Sequence, residues 1–377
     1  TRTIKSTVPC FRFGMTPTIA VLGASGFVGS RLLELFHLTG SATLHPVVRN
    51  YSSLARLARF DLDWKIADAR DQAALTTAFE GCDAVVNLVA ANPDVIVENA
   101  TASYMAAQAA GVKRMVFMSS ASVHGQAPAP GTDETSPLHS HHRFAYNNAK
   151  VRAERALIRC RKSSSVELVI LRPGIVFGPR SRWVSDIADQ LLSDCAYLIN
   201  EGQGICNSIY VDNLLEAIQL ALTIPAADGE TFLVGDRERV TWLDFYSRIA
   251  SGLGLDLSRA ARVGAPQFQA GIFDIIDGVR TSKPVQALLP VVPGALKQAA
   301  KGAIQAVSAP PRPSPWRLRA APAPDVTEEM TQLQLCSVQL PWVKAERILG
   351  YQAKISFAEG MQRSLGWLQF AGYPTVM

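Results

Sequence analysis

Apolar residues in the first half of the chain fall in short unbroken runs, separated by longer stretches where they recur every three or four positions. That rhythm predicts strands alternating with helices. Strands are expected at Thr18–Leu22, 44–48, 64–66, 84–89, Arg114–Met118 and 168–171. Helices are expected at 28–36, Gln72–Phe79, 103–110 and Ala145–Arg161. The strand runs are apolar throughout rather than alternating, which implies a parallel sheet covered by helices on both faces. After Arg172 the pattern loosens. Helices are expected at 184–192, 213–222 and 242–250, the last capped by Thr241, with a strand at Thr231–Val234.

Two later stretches break the rhythm. Residues 308–324 hold six prolines, which exclude a regular helix or a central strand and point to a linker or a partly ordered lid. Residues 285–307 are apolar with Lys297 and Lys301 on one helical face; a helix packed on a second lobe is expected, with a membrane surface or a partner subunit as alternatives.

Composition narrows the classes. A chain of 377 residues with 48% hydrophobic and 18% charged residues can fill a large core, in two lobes. The net charge of +5 owes part of its excess to Arg312, Arg317 and Arg319 in the proline-rich stretch, so no coherent basic face for nucleic acid is expected. Six cysteines without a CxxC pair read as reduced thiols of a cytoplasmic protein. No uninterrupted apolar run is long enough to span a membrane, and membrane-surface contact is not expected. Residues 1–14 lack the apolar centre of a secretory signal, and Met15 is a candidate natural start. His139, His141 and His142 cluster without a second ligand group at metal spacing, so no metal site is expected.

The strongest local chemistry is VLGASGFVG, with Gly23, Gly26 and Gly29 between a strand and a helix. Glycines there allow a tight turn, close approach of backbone to a pyrophosphate, and close helix–strand packing. Free amides at the helix start would hold the phosphates. These residues predict a Rossmann-type, doubly wound parallel sheet in an α/β protein. The second strand ends in PVVRN: Arg49 stands where NAD enzymes place a carboxylate, and a guanidinium suits the 2′-phosphate of NADP. NADP is therefore the expected cofactor, with NAD as the alternative.

Tyr146 and Lys150 lie four apart on the expected helix and share a face. A phenol with an ordinary pKa of about 10 needs help to act as a base, and a nearby ammonium is expected to lower that value. Tyr146 would then exchange a proton with a substrate oxygen while a hydride passes to or from the nicotinamide.

In this order and spacing the motifs resemble the extended short-chain dehydrogenase/reductase family, of the NAD-dependent epimerase/dehydratase type. The resemblance runs through Leu222 and reappears in KAERILGY at 344–351. Ser119-Ser120-Ala-Ser-Val-His-Gly resembles the family's SSxxVYG segment and implies Ser120 as the catalytic serine. Tyr146 and Lys150 match YxxxK; Arg172, Pro173, Gly178 and Pro179 match RPxxxxGP beside the nicotinamide. The resemblance implies cofactor contacts at Gly23, Ser25, Gly26, Phe27, Val28, Gly29, Arg49, Asp68, Ala69, Leu88, Val89, Ala90, Tyr146, Lys150, Pro173 and Val176. It implies substrate contacts at Ser120, Ser122, His124, Tyr146 and Asn207. It also implies a Rossmann core over 15–180 and a smaller C-terminal α/β substrate lobe over 181–377, with 205–230 returning to the core. A homodimer would be in keeping with the family.

Departures from the family pattern bear on the reaction. His124 replaces the usual tyrosine, and 91–103 lacks the Asn-Val-x-Gly-Thr pattern, leaving that wall of the substrate site open. Asn207 stands where sugar-nucleotide enzymes carry a diphosphate-gripping arginine. Ala121 and Ser122 occupy the positions of the dehydratase acid pair, which argues against dehydration. The expected activity is interconversion of a secondary alcohol and a ketone, on an alcohol, ketone or sugar substrate. Sugar or sugar-nucleotide epimerisation is the first alternative and a non-catalytic dinucleotide-binding regulator the second.

Overall fold

A computed structural model describes residues 16–266, 268 and 323–376. The expected helix at 285–307, residues 1–14, Cys10 and most of the proline-rich stretch lie outside the described residues.

Seven parallel strands form the main sheet: β1 (Thr18–Leu22), β2 (Thr43–Val48), β3 (Lys65–Ile66), β4 (Ala84–Asn87), β5 (Arg114–Met118), β6 (Glu167–Pro173) and β10 (Thr231–Val234). Their spatial order is β3-β2-β1-β4-β5-β6-β10. The chain therefore changes direction between β1 and β4, opening a crevice at their carboxyl ends. Side chains alternate across the sheet. Ile19, Val21 and Val116 enter one core with Leu32, Leu33 and Ile218, while Ala20, Leu22, Met115 and Phe117 enter the other with Tyr104, Ala149 and Leu157. Helices α1 (Phe27–Thr39) and α6 (Val211–Thr223) cover the first face; α2 (Gln72–Phe79), α3 (Pro93–Ala109) and α4 (Ala145–Arg161) cover the second.

Helix α3 begins ten residues before the 103–110 helix read from the sequence. Pro93 starts it and Asp94 sits in its first turn, favouring the amino end. Its buried face is partly polar, which hides the helical period: Asn87 Nδ2 donates to Asn99 Oδ1 at 2.8 Å and to Ser103 Oγ at 2.9 Å. Strand β4 stops short of the expected 89, because Asn87 Oδ1 accepts from the Val89 amide at 3.1 Å and turns the chain outward.

The remaining elements form a third core. Helix α5 (Arg182–Leu192) and helix α7 (Trp242–Gly252) pack Val184, Ile187, Trp242 and Phe245 against Phe357, Met361 and Leu365 of α10 (Phe357–Phe370). Thr241 caps α7 in a reciprocal box with Asp244. Two short parallel pairs join here: β7 (Ile175–Phe177) with β9 (Ser208–Tyr210), and β8 (Tyr197–Ile199) with β11 (Ala261–Val263). Helix α8 (Glu328–Gln334) packs beside β8, whereas α9 (Val343–Leu349) returns to the sheet, burying Ala345, Leu349 and Tyr351 in the first core. None of the described helices is long and apolar enough to cross a membrane.

Candidate active site

The turn after β1 opens on the crevice. Gly23 has φ +74°, and a Cβ there would stand 2.9 Å from the Leu88 carbonyl oxygen. At Gly29 a Cβ would meet the Gly23 oxygen at 2.3 Å, so α1 can approach the turn only without a side chain. Gly26 caps α1 with no side-chain acceptor, and the first turn carries no acid. Its leading amides and dipole are therefore open to an anion. A cavity of about 590 Å³ lies over this turn, lined by Gly23, Ser25, Gly26, Phe27, Val28, Gly29, Arg49, Asp68, Ala69, Leu88, Val89 and Ala90. The three glycines of its floor and the bare helix amino end fit a dinucleotide diphosphate.

Arg70 and Ser53 join the same cavity and were missed in the sequence. Arg70 grips Asp68 in two bonds, Nε to Oδ1 and Nη2 to Oδ2, each 3.0 Å. The Arg70 hydrogen bonds, with a smaller contribution from Arg49, hold the Asp68 carboxyl down at about 2.

A second cavity of about 460 Å³ shares Phe27, Val28, Leu88 and Ala90 with the first and is lined by Ser120, Ser122, Tyr146, Pro173, Val176 and Asn207. Helix α4 carries Tyr146 and, one turn on, the fully buried Lys150. Lys150 Nζ donates to the Met118 carbonyl at 2.7 Å and to that of Val89 at 3.4 Å, and lies 5.8 Å from the Tyr146 ring centre. Burial pushes this amine down to about 8, against the pull of Glu154.

The phenol does not follow the sequence expectation. Burial raises the Tyr146 pKa above its ordinary value, Ser120 draws it down and Glu329 raises it further. Lys150 directs its ammonium to backbone carbonyls and does not offset that burial. Ser120 caps a short turn over Ala121–His124; its Oγ accepts from the Ser122 amide at 3.1 Å and from Ser122 Oγ at 2.9 Å.

Behind the serine lies a buried polar cluster. Ser119 Oγ donates to Glu154, and Arg172 binds Glu154 through Nε at 3.0 Å and Nη2 at 2.7 Å. His124 belongs to this cluster, with Nε2 3.2 Å from Arg172 Nη1, and is not among the residues that line the second cavity. Burial and the Arg172 charge push its pKa down to about 4, so the ring is neutral. The side chain of Asn207 is engaged as a clamp: Nδ2 donates to the Val338 carbonyl at 2.9 Å and Oδ1 accepts from the Leu340 amide at 2.8 Å. Gly174 lies so close that a Cβ there would be 1.9 Å from the Asn207 carbonyl oxygen.

The histidine cluster has local partners. His142 Nε2 stands 2.9 Å from the Val123 carbonyl oxygen, and its ring stacks on His139 at 4.2 Å. Gln126, Trp183, Glu329, Leu333 and Leu340 also line the second cavity, three of them from beyond residue 323. Thr327 followed by Glu328 and Glu329 was a readable helix start. Nothing local tied that helix to Tyr146.

A doubly wound sheet with a bare, glycine-lined helix start at its crevice defines a Rossmann-type dinucleotide-binding protein. Residues 19–235 match the model of the NAD dependent epimerase/dehydratase family, and the chain belongs to that family. It is an enzyme of the NAD(P)-dependent dehydrogenase/reductase or epimerase type. The chain is 31% identical over 237 residues, 59% of its length and 68% of the relative's, to N-acetyl-alpha-D-glucosaminyl-diphospho-ditrans,octacis-undecaprenol 4-epimerase of Escherichia coli O157:H7. It is 26% identical over 258 residues, 63% of its length and 76% of the relative's, to UDP-glucose 4-epimerase of Vibrio cholerae. In fold it resembles dTDP-glucose 4,6-dehydratase from Streptomyces venezuelae, with TM-score 0.66 and 19% identity over 94% of this chain and 97% of that one.

Proposed function

We propose that this enzyme interconverts a secondary alcohol and the corresponding ketone with a nicotinamide dinucleotide as redox partner. The observation that carries the reading is the adjacency of the two cavities, which share Phe27, Val28, Leu88 and Ala90. The nicotinamide, when bound, supplies or accepts the hydride. The α1 amides and the Gly23–Gly29 turn would hold the diphosphate. Asp68 and Ala69 would flank the adenine, and Leu88, Val89, Ala90, Pro173 and Val176 would flank the nicotinamide ring.

Tyr146 donates a proton to the carbonyl oxygen during reduction and removes one from the hydroxyl during oxidation. Ser120 donates to the same oxygen. Its Oγ already accepts two hydrogen bonds from Ser122, which leaves its hydrogen for the Tyr146 phenol or for a substrate oxygen bound beside it. Lys150 lines neither cavity and donates to the Met118 and Val89 carbonyls beneath them; it would hold the nicotinamide ribose from that position. NADP is favoured over NAD: Arg49 and Arg70 both line the outer end of the cavity, and Asp68, the carboxylate among its described lining residues, is already engaged by Arg70.

A second reading, epimerisation, is favoured by the 31% relative, whose name is that of a 4-epimerase. The same groups would oxidise the carbon, retain the ketone and reduce its other face. Incubation with NADP and a panel of alcohols, ketones and sugars separates the two. Reduced nicotinamide accumulating in proportion to ketone supports net oxidation; an inverted product with no net absorbance change supports epimerisation. Cofactor binding without conversion of any compound would overturn both.

A further inference from the structure

The catalytic cavity is poorly suited to an anion. Its walls include Phe27, Met118, Ile175, Trp183 and Leu333. Among its described lining residues, the one cationic side chain is Arg182, which is 89% exposed and lies 3.4 Å from Asp186. A carboxylate, Glu329 of α8, lines the same cavity. It is held in place: Gln126 Nε2 donates to Glu329 Oε1 at 3.2 Å, and Asn147 Nδ2 donates to Gln126 Oε1 at 2.7 Å. Gln126 and Asn147 are buried, and Asn147 adjoins Tyr146 on α4, so this amide relay ties the position of Glu329 to that of the phenol. Past Glu329 a further cavity begins, lined by Trp183, Tyr197 and Tyr246 together with Asp186 and Asp325, with no lysine or arginine among its described lining residues.

We propose that Glu329 determines substrate specificity, accepting a hydrogen bond from a hydroxyl or ammonium group beside the reacting carbon and turning away substrates that carry phosphate. The inference rests on the hydride-transfer reading and deepens it. Among the described residues, a diphosphate in this cleft would meet the exposed Glu329 carboxylate, with Arg182, already facing Asp186, as the one guanidinium on the lining. A donor on an otherwise apolar substrate would meet a charged acceptor, the stronger kind of hydrogen bond. Glu329 also acts on the phenol: its charge disfavours the phenolate of Tyr146. The charged groups facing that phenol, among the described residues, are Glu329 from α8 and Lys150 from its own helix.

The test compares wild type with Glu329→Gln, which keeps an oxygen for Gln126 and so preserves the relay. Probes are cyclohexanol, vicinal cyclohexanediol, aminocyclohexanol and UDP-glucose, each with NADP. The variant is expected to lose roughly tenfold or more in kcat/KM for the diol or the amino alcohol relative to cyclohexanol. A larger loss for the amine identifies an ammonium partner, and equal losses identify a neutral donor. UDP-glucose is expected to bind weakly to wild type and more tightly to the variant by calorimetry. The alkaline titration of Tyr146, read as the absorbance difference between each protein and its Tyr146→Phe counterpart, is expected to shift downward in Glu329→Gln. Unchanged selectivity, or UDP-glucose preferred by wild type over the neutral alcohols, overturns the proposal. Full turnover in Tyr146→Phe would instead overturn the hydride-transfer reading beneath it.

Discussion

The Lys150 ammonium donates to the Met118 carbonyl across 2.7 Å, tying helix α4 to the carboxyl end of β5. Full burial of that amine depresses its pKa to about 8 from an ordinary 10.5. Between those values the unfolded chain binds the proton more tightly than the folded one, so stability rises with pH through this window. Below it both states are protonated and the gain is absent. Lys150→Met should flatten the rise, as read by denaturant midpoints of the two proteins from pH 7.5 to 10.5.

Tyr146→Phe removes the phenol proposed as proton donor and leaves the glycine-lined cavity untouched. Cofactor affinity by fluorescence titration should stay near wild type, while kcat falls by roughly a hundredfold or more. A variant that turns over at the wild-type rate would remove the phenol from the reaction.

Arg49 lines the outer part of the cofactor cavity close to Asp68. Arg49→Ala should weaken NADP by roughly tenfold and NAD much less, since a charge-assisted bond is lost only with the 2′-phosphate. Equal changes in the two dissociation constants would end the case for NADP.

Glu154 and Arg172 form an ion pair in which the side chains are 1% and 5% exposed. Glu154→Ala leaves the guanidinium buried and unpaired, at a cost of about 3–5 kcal/mol in chemical denaturation. Ser119 loses its acceptor in the same variant, so the Ser120 turn should loosen and kcat should fall as well.

The periodic parts of this chain were legible because their signals are local. Helices α2 and α4 and strands β1, β5 and β10 fall within the bounds expected from the sequence. The glycine turn, Tyr146 and Lys150 stand in motifs whose spacing already implies their neighbourhood. Helix α3 was half hidden because Asn99 and Ser103 face inward to Asn87, placing polar residues on what the pattern treats as an outer surface. The short strands β7, β8, β9 and β11 span three residues each, too few to establish a period.

By itself the sequence determined the alternating α/β architecture, the glycine-lined turn and the four-residue spacing of phenol and amine, since backbone sterics and helical repeat act over a few residues. Only tertiary structure decided how the side chains are used. It turned His124 away to Arg172, engaged Asn207 as a clamp on 338–340, and brought Glu329 to the cavity beside Tyr146 from nearly two hundred residues downstream. It also set the phenol above rather than below its ordinary pKa. Burial and charge act through space, and no spacing along the chain records which distant groups will share a cavity.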